Sequence, residues 1–597
     1  MTYSKPTVSA ARVLSCESVF PNVFRLALRF ADNGAEVAVP GQFYMLKAAA
    51  SDVLLGRPLS VHRAERADGG TALTFLILKK GRGTESLCRL AKGERVSLLG
   101  PQGNTFPPPE QTCGAGQKLL FASGGIGVAP TAGFAATLPP GSYDFCASFK
   151  SGSYGLEHIA PDKLCVATED GSLGVKGMLP AALSARELAG ARYGAVYACG
   201  PEPMLAYVQK ICAESRVPCF LSTESRMACG TGACLGCVVR TADGNRRCCA
   251  DGPVFPGEKL LFPLSGTDSA TPVRTREAPP KPTRPAGGEP PDLSVTIAGV
   301  PFKNPLIAAS GTFGYGTEYR RLVDAGIFGG VCSKGLTLEA RSGNAGVRLW
   351  ETAGGLLNSI GLENPGIPHF IAHELPRMLW LGTVVIANLS GSSLDAYADG
   401  ARLLDGTGVA LIEVNISCPN VEAGGMAFGL DPDAAAAVTR AVREATRKPL
   451  MVKLSPNAPD VVAVAHAVRE AGADALSLTN TFLGTALDIE SCRPVFQNVR
   501  AGLSGPAIKP LALRIVYDTA LSMRRLPKHA RIPLVALGGI SRWEDVAEFI
   551  MAGASAVQIG TGIFADLHSP AAILDGLAAF MARKGFRSIE DMRGIAL

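Results

Sequence analysis

The sequence predicts a multidomain chain: a small antiparallel β-barrel, then an α/β layer running into a cysteine-rich loop, then a (β/α)8 TIM barrel. Three observations lead there. Short alternating apolar runs with turn signals between them open the chain, at Thr7 to Val13, Val23 to Arg29, Phe43 to Leu46, Leu73 to Leu78 and Arg95 to Leu99; this is the pattern of a small barrel. From Lys118 the pattern becomes apolar strand, glycine turn and helix start (KLLFASGGIGVAPTAG), with further apolar strands at Phe145 to Ser148, Leu164 to Ala167 and Ala195 to Ala198, as in an α/β layer. After residue 292, eight apolar runs alternate mostly with helical patterns. They are Pro305 to Ala309, Gly330 to Lys334, Thr383 to Leu389, Leu411 to Ser417, Leu450 to Leu454, Ala475 to Thr479, Leu534 to Gly538 and Ala556 to Gly560, which predicts the parallel barrel.

One composition shift divides the chain. Gly266 to Pro291 is rich in Pro, Gly, Thr and charge and reads as a linker. The expected boundaries are 1–108 for the small barrel, 109–222 for the α/β layer, 223–264 for the cysteine loop, 265–291 for the linker and 292–597 for the TIM barrel. The 597 residues, 47% apolar, suffice for several cores. A net charge of +6 gives no electrostatic argument for nucleic acid. No signal peptide is visible, and the longest uncharged stretch, Leu119 to Tyr143, is broken by Pro130, Pro139 and Pro140, so no membrane span is expected. Sixteen cysteines without an export signal fit a reducing, cytoplasmic compartment.

The most specific motif is ESRMACGTGACLGCVVRTADGNRRCCADGPVF, from Glu224 to Phe255. Cys229, Cys234 and Cys237 form C-x4-C-x2-C, and a further cysteine follows at Cys248 or Cys249, the plant-type spacing of a [2Fe–2S] cluster. Zinc is the weaker reading, because structural zinc shows paired knuckles and only one pair fits. A one-electron carrier needs a donor and an acceptor. Ahead of it stand Arg57-Pro58-Leu59-Ser60, the KKGRGTESL segment with Gly83 and Thr84, GGIGVAP with Gly124, Gly125 and Gly127, and YACGPEPML with Cys199, Gly200 and Pro201. Taken alone, RPLS is a solvated turn and a glycine turn is a weak signal. In this order they resemble the ferredoxin-reductase superfamily. That resemblance implies FAD on Arg57 to Ser60, on Leu76, Ile77 and Leu78 and on Gly83 and Thr84, and NAD on the glycine turn and the CGP segment. The same motifs together with the cysteine loop resemble the electron-transfer subunit of dihydroorotate dehydrogenase B, over residues 1 to about 262. In that family the last cluster cysteine precedes a charged or small residue and DGPVF, which puts it at Cys249.

In the back half, polar residues gather at predicted strand ends, where barrel enzymes place their sites. They occur in ASGTFG, CSKGLT, LLNSIGLENPG, EVNISCPN and SLTNT, followed by LGGI and QIGTG after strands seven and eight. The last two suit a phosphate grip, so FMN fits. Asn358, Asn415 and Asn480 offer donors and acceptors to a flat heterocycle, although each alone is more often a turn cap. Lys334 and Lys453, costly inside a barrel unless paired, point to an anionic partner. Cys418 alone would be a buried structural thiol.

These segments resemble the class 1 dihydroorotate dehydrogenase catalytic subunit, from about residue 292 to 590. The resemblance implies that Cys418 is the general base and that Lys334 is catalytic and contacts both reduced FMN and substrate. It places dihydroorotate on Lys334, Asn358, Ser359, Ile360, Gly361, Leu362, Asn415, Asn480 and Thr481. It places FMN on Ser310, Lys334, Gly335, Asn388, Asn415, Lys453, Thr479, Gly505, Gly538, Gly539, Gly560 and Thr561. The expected activity is oxidation of dihydroorotate to orotate in pyrimidine biosynthesis, with electrons passing from FMN to the [2Fe–2S] cluster, to FAD and to NAD+. A homodimer or higher oligomer through the TIM barrel is expected by analogy. The family keeps the two halves on separate chains; here they are fused. One rival is a nicotinamide-driven uracil or thymine reductase, but such enzymes bring extra [4Fe–4S] clusters and no further cysteine run is present. A non-catalytic electron-transfer scaffold is the other, opposed by Cys418 and the three asparagine-bearing strand ends.

Overall fold

The computed structural model describes residues 7–30, 38–49, 51, 53–67, 70–190, 193–262, 290–417 and 428–597. The chain divides into two compact units, one holding most of the residues before the linker and the other most of those after it.

In the front unit six strands close an antiparallel barrel: Thr7–Phe20, Val23–Phe30, Phe43–Ala48, Arg57–Ala67, Gly70–Leu78 and Arg95–Gln102. Their spatial order is first, second, fifth, fourth, third, sixth. The apolar runs reveal five of them. The remaining one, the fourth strand Arg57–Ala67, opens on Arg57-Pro58-Leu59-Ser60 itself, so a segment that reads as a turn is a strand pairing with Phe43–Ala48. Its proline and charges hide it; Pro58 stands near the strand's start, where a missing N–H costs least. Leu26, Leu28, Leu46, Val61 and Phe75 fill the interior.

The α/β layer is a seven-stranded sheet in the order Val175–Lys176, Lys163–Thr168, Tyr143–Phe149, Lys118–Gly124, Tyr193–Cys199, Cys219–Ser222, Val254–Pro256. All neighbours are parallel except the last pair. The chain order runs outward in both directions from the gap between Lys118–Gly124 and Tyr193–Cys199. That gap is the topological switch point, outside whose carboxyl ends such sheets bind ligands. Aromatic packing fills one face: Phe106 stacks on Tyr197 at 5.1 Å, and Phe121 on Phe145 at 5.7 Å. The Tyr197 hydroxyl donates to the Pro107 carbonyl at 2.7 Å.

The back unit is a closed barrel of eight parallel strands in sequential order: Leu306–Ala308, Gly330–Cys332, Val384–Leu389, Leu411–Asn415, Leu450–Lys453, Ala475–Leu478, Leu534–Leu537 and Ala556–Ile559. Every expected run contains its strand. All strand residues except Val384 are buried, which is why parallel strands read as continuous apolar runs. Three of the outer helices start on side-chain caps that take otherwise unpaired amides: Ser393 accepts from Ala396 N, Asp431 from Ala434 N and Asp460 from Ala463 N. Periodicity does not reveal a four-stranded antiparallel sheet made by Leu349–Glu351, Leu356–Asn358, Arg500–Ser504 and Phe482–Thr485. Its strands come from the loops after barrel strands two and six, so it sits at the carboxyl end and carries Asn358. Among the described residues no helix is long and apolar enough to cross a membrane.

Phe121 is fully buried in the aromatic cluster of the front unit. Phe121→Ala is expected to destabilise that unit by about 3–5 kcal/mol, read as a shift of its denaturant midpoint. A change of about 0.5 kcal/mol, the size of a surface substitution, would contradict this packing.

Candidate active site and cluster loop

One cavity opens at the carboxyl ends of the barrel strands, and nearly all barrel residues named from sequence line it. Ser310, Lys334, Gly335, Asn358, Ile360, Gly361, Leu362, Asn388, Asn415 and Lys453 do so, as do Thr479, Asn480, Thr481, Gly505, Gly538, Gly539, Gly560 and Thr561. Ser359 does not: it is 2% exposed, and its hydroxyl accepts from Asn344 Nδ2 at 3.0 Å. Its neighbours Asn358 and Ile360 both line the cavity, and alternation along extended backbone turns Ser359 away from it. Cys418 lies outside the described residues. Gln558, Ser504 and Leu356 also line the cavity and were not singled out from sequence. The signal for Gln558 was present, as the polar residue inside the otherwise apolar run before GTG.

The polar residues form one connected system. Asn388 Nδ2 donates to Glu413 Oε1 at 2.6 Å, and Gln558 Nε2 to Glu413 Oε2 at 2.6 Å. Lys453 Nζ reaches Glu413 Oε1 at 3.4 Å and Ser310 Oγ at 3.3 Å. Asn415 Nδ2 donates to Asn388 Oδ1 at 3.3 Å, and Asn480 Nδ2 to Asn415 Oδ1 at 3.3 Å and Ser417 Oγ at 2.9 Å. Burial by itself raises the pKa of Glu413, but the Lys453 charge and the Gln558 and Asn388 amides outweigh it, so the carboxyl stays below its ordinary value. Lys334 is 5% exposed, and burial pulls its pKa below that of an ordinary lysine.

The donor set fits a phosphorylated flavin such as FMN. Gly538 and Gly539 have φ of +124° and +77°, and a Cβ on Gly539 would lie 2.7 Å from Lys509 N; the turn after strand seven therefore requires glycine. Thr479 Oγ1 and Gln558 Oε1 are buried without a hydrogen-bond partner, and an unsatisfied buried polar atom is costly unless a ligand takes it.

In the front unit the glycine turn and the CGP segment meet at the switch point. A Cβ on Gly127 would lie 2.2 Å from Cys199 O, and one on Gly124 would lie 2.9 Å from Pro201 Cδ and 3.5 Å from Gly200 Cα. The glycine turn and the CGP segment are thus packed back to back. Gly83 lies flat against the Arg57 guanidinium, 2.1 Å from a Cβ built there, and Thr84 Oγ1 accepts from the amides of Lys80 and Gly81. Ile77 is fully buried in the barrel core, whereas Leu76 packs with the α/β cluster and Leu78 lies at its edge. Any contact of Ile77 with a cofactor is therefore through its backbone.

Cys229, Cys234, Cys237 and Cys249 are all buried, and none of them is in a disulfide. Cys237 Sγ and Cys249 Sγ are 3.3 Å apart, and Thr231 N donates to Cys229 Sγ. Cys248 turns the other way: its thiol donates to Thr223 O at 3.3 Å. Among the described residues no three His, Cys, Asp or Glu side chains converge as a single-ion site. A binuclear cluster shares four thiolates between two irons, so a threefold convergence is not what it needs.

A parallel barrel with an amide-lined mouth and a glycine grip, on one chain with a switch-point sheet and a four-cysteine loop, defines a redox enzyme. The family model described as dihydroorotate dehydrogenase matches residues 292–581, and that described as the iron-sulfur cluster binding domain of dihydroorotate dehydrogenase B matches residues 224–261. The catalytic subunit of dihydroorotate dehydrogenase B (NAD(+)) from Petrotoga mobilis is 48% identical over 304 residues, 51% of this chain and 99% of that protein. Its counterpart from Caldicellulosiruptor saccharolyticus is 46% identical over 303 residues, 51% and 98%. That from Geobacter sp. strain M21 is 48% identical over 305 residues, 51% and 98%. The chain belongs to the dihydroorotate dehydrogenase B family, with the catalytic-subunit sequence in its back half behind a fused front half.

The sulfur geometry separates the two adjacent cysteines. Cys249→Ser is expected to lower the iron bound per chain and the cluster's visible absorption sharply, while Cys248→Ser leaves both near wild type. Equal loss in the two variants would contradict the assignment.

Proposed function

We propose that this chain oxidises dihydroorotate to orotate in pyrimidine biosynthesis and delivers the electrons to NAD+. The observation that carries the proposal is the gathering of Lys334, Asn358, Asn415, Asn480 and Thr481 at one barrel mouth with the glycine grip. When bound, FMN supplies the hydride acceptor, and the [2Fe–2S] cluster and FAD supply the one- and two-electron carriers toward NAD+.

The chain's own residues bind, orient and move a proton. A dihydropyrimidine ring has alternating N–H and C=O edges, and amide side chains match both. The ring's carboxylate needs a cation, and Lys334, buried and partnered by no carboxylate hydrogen bond among the described residues, supplies it. Lys453 is held by Glu413 and Ser310 and is assigned to the flavin side. Cys418, in the NISCPN segment after strand four, is the base that takes the C5 proton. A free thiol has a pKa of about 8.5, and only its thiolate form takes a proton, so either the loop lowers that pKa or the step favours alkaline pH. In the front unit, the Arg57 to Ser60 strand with Gly83 and Thr84 holds FAD, and the switch-point glycines hold NAD.

Anaerobic mixing with dihydroorotate, followed by NAD+, tests the proposal. Bleaching of the visible flavin and cluster bands, then NADH formation, is expected. Bleaching by NADH and uracil-dependent reoxidation, without a response to dihydroorotate, would replace it with a pyrimidine reductase.

Lys334 yields a pH prediction. Its folded pKa is lowered, so the cation is lost as pH rises through a value below the ordinary lysine pKa of about 10.4. Orotate affinity, followed by flavin spectral titration, is expected to fall over that rise. Lys334→Met is expected to bind weakly with no such fall, and a wild-type pH profile in the variant would exclude Lys334 as the anion's partner.

A further inference from the structure

The proposed chemistry assigns Glu413, an ionised group of the barrel interior, no task, yet the cavity's polar side chains converge on it. It is fully buried. Its two oxygens take Asn388 Nδ2, Gln558 Nε2 and Lys453 Nζ, and the Cys332 thiol donates to Oε1 at 3.4 Å. These donors come from barrel strands three, eight, five and two.

The chemistry of a carboxylate decides what this does. Ionised, it accepts and never donates. Both amides that touch it must therefore point their NH2 ends at it and their oxygens away. For Asn388 the oxygen then accepts from Asn415 Nδ2, which leaves Asn415 Oδ1 to accept from Asn480 Nδ2. Asn480 Oδ1 in turn accepts from Thr481 N at 2.7 Å. Three asparagines of the mouth thus take their direction from one anion. For Gln558 the consequence faces the cavity: its oxygen is buried, without a partner, and fixed as an acceptor.

We propose that Glu413 is a positioning residue that sets the donor and acceptor pattern of the cavity, orienting Asn388, Asn415 and Asn480 in series and presenting Gln558 Oε1 to an N–H of the bound heterocycle. The inference rests on the reading of this cavity as an FMN and orotate site. Glu413 touches neither reactant; it acts through the side chains that do.

Glu413→Gln tests it at nearly constant volume. A glutamine both donates and accepts, so one of its neighbours must reverse or lose its bond. The variant, reconstituted with FMN, is expected to bind FMN or orotate at least about tenfold more weakly, the effect of losing one hydrogen bond to a charged group. The midpoint potential of its flavin is expected to move to a more positive value, because a negative charge has left the flavin's surroundings. Glu413→Asp, still an acceptor only, is expected to recover part of both. Wild-type affinities and potential in Glu413→Gln would overturn the proposal, since a packing role alone leaves the potential in place. Should Glu413→Gln not fold, Gln558→Met keeps the carboxylate and removes the presented acceptor. Weaker FMN binding in that variant supports the proposal, and unchanged binding overturns it. If the wild-type protein binds no FMN at all, the underlying reading fails instead, so the two failures are distinct.

Discussion

A carboxylate enclosed in a barrel persists only if its lone pairs are taken, because an isolated buried ion costs far more than any single contact returns. Glu413 meets that condition with donors from four strands, two of them amide groups at 2.6 Å and one the Lys453 ammonium. The arrangement contributes little net stability, since an apolar core of the same volume would serve as well. What it contributes is direction. Every amide bonded in series from Asn388 to Asn480 is polarised the same way, and the mouth of the barrel becomes a site with a defined pattern rather than a polar cavity.

The two proposed sites are built by different means. At the barrel mouth, glycines after strand seven bring backbone close to the cavity and Lys334 adds a buried charge. The switch point of the front sheet is built differently. Close approach does the work there, with Gly124 and Gly127 so tightly packed on Cys199, Gly200 and Pro201 that any side chain would separate the two strands. Backbone amides and space are what a dinucleotide requires, whereas a small heterocycle that must be told from its relatives requires oriented side chains.

In the cluster loop, local bonding distinguishes two cysteines that spacing leaves equivalent. Cys248 and Cys249 are equivalent by count. Cys248 N donates to Cys237 O at 2.8 Å while its thiol bonds Thr223 O; this turns the two successive side chains to opposite sides and leaves Cys249 against Cys237.

Most of the architecture was legible in the sequence. The eight barrel strands are buried on both faces, so their apolar runs stood out, and the cysteine loop, the glycine turns and the asparagine-bearing strand ends were readable because each depends on residue type at a local spacing. Less was readable where the deciding contacts are distant in the chain. The strand Arg57–Ala67 is polar enough to pass for a turn and becomes a strand by pairing with Phe43–Ala48. The four-stranded sheet at the barrel mouth joins loops separated by more than a hundred residues, as in the pairing of Leu356 with Ser504. Ser359 belongs to a binding segment by sequence and faces Asn344 in the structure. Glu413 and Gln558 are 145 positions apart. Sequence alone determined which residue types stand at the strand ends; only the closing of the barrel decided which of them touch and which way their amides point, because a hydrogen bond's direction depends on a partner the local chain does not contain.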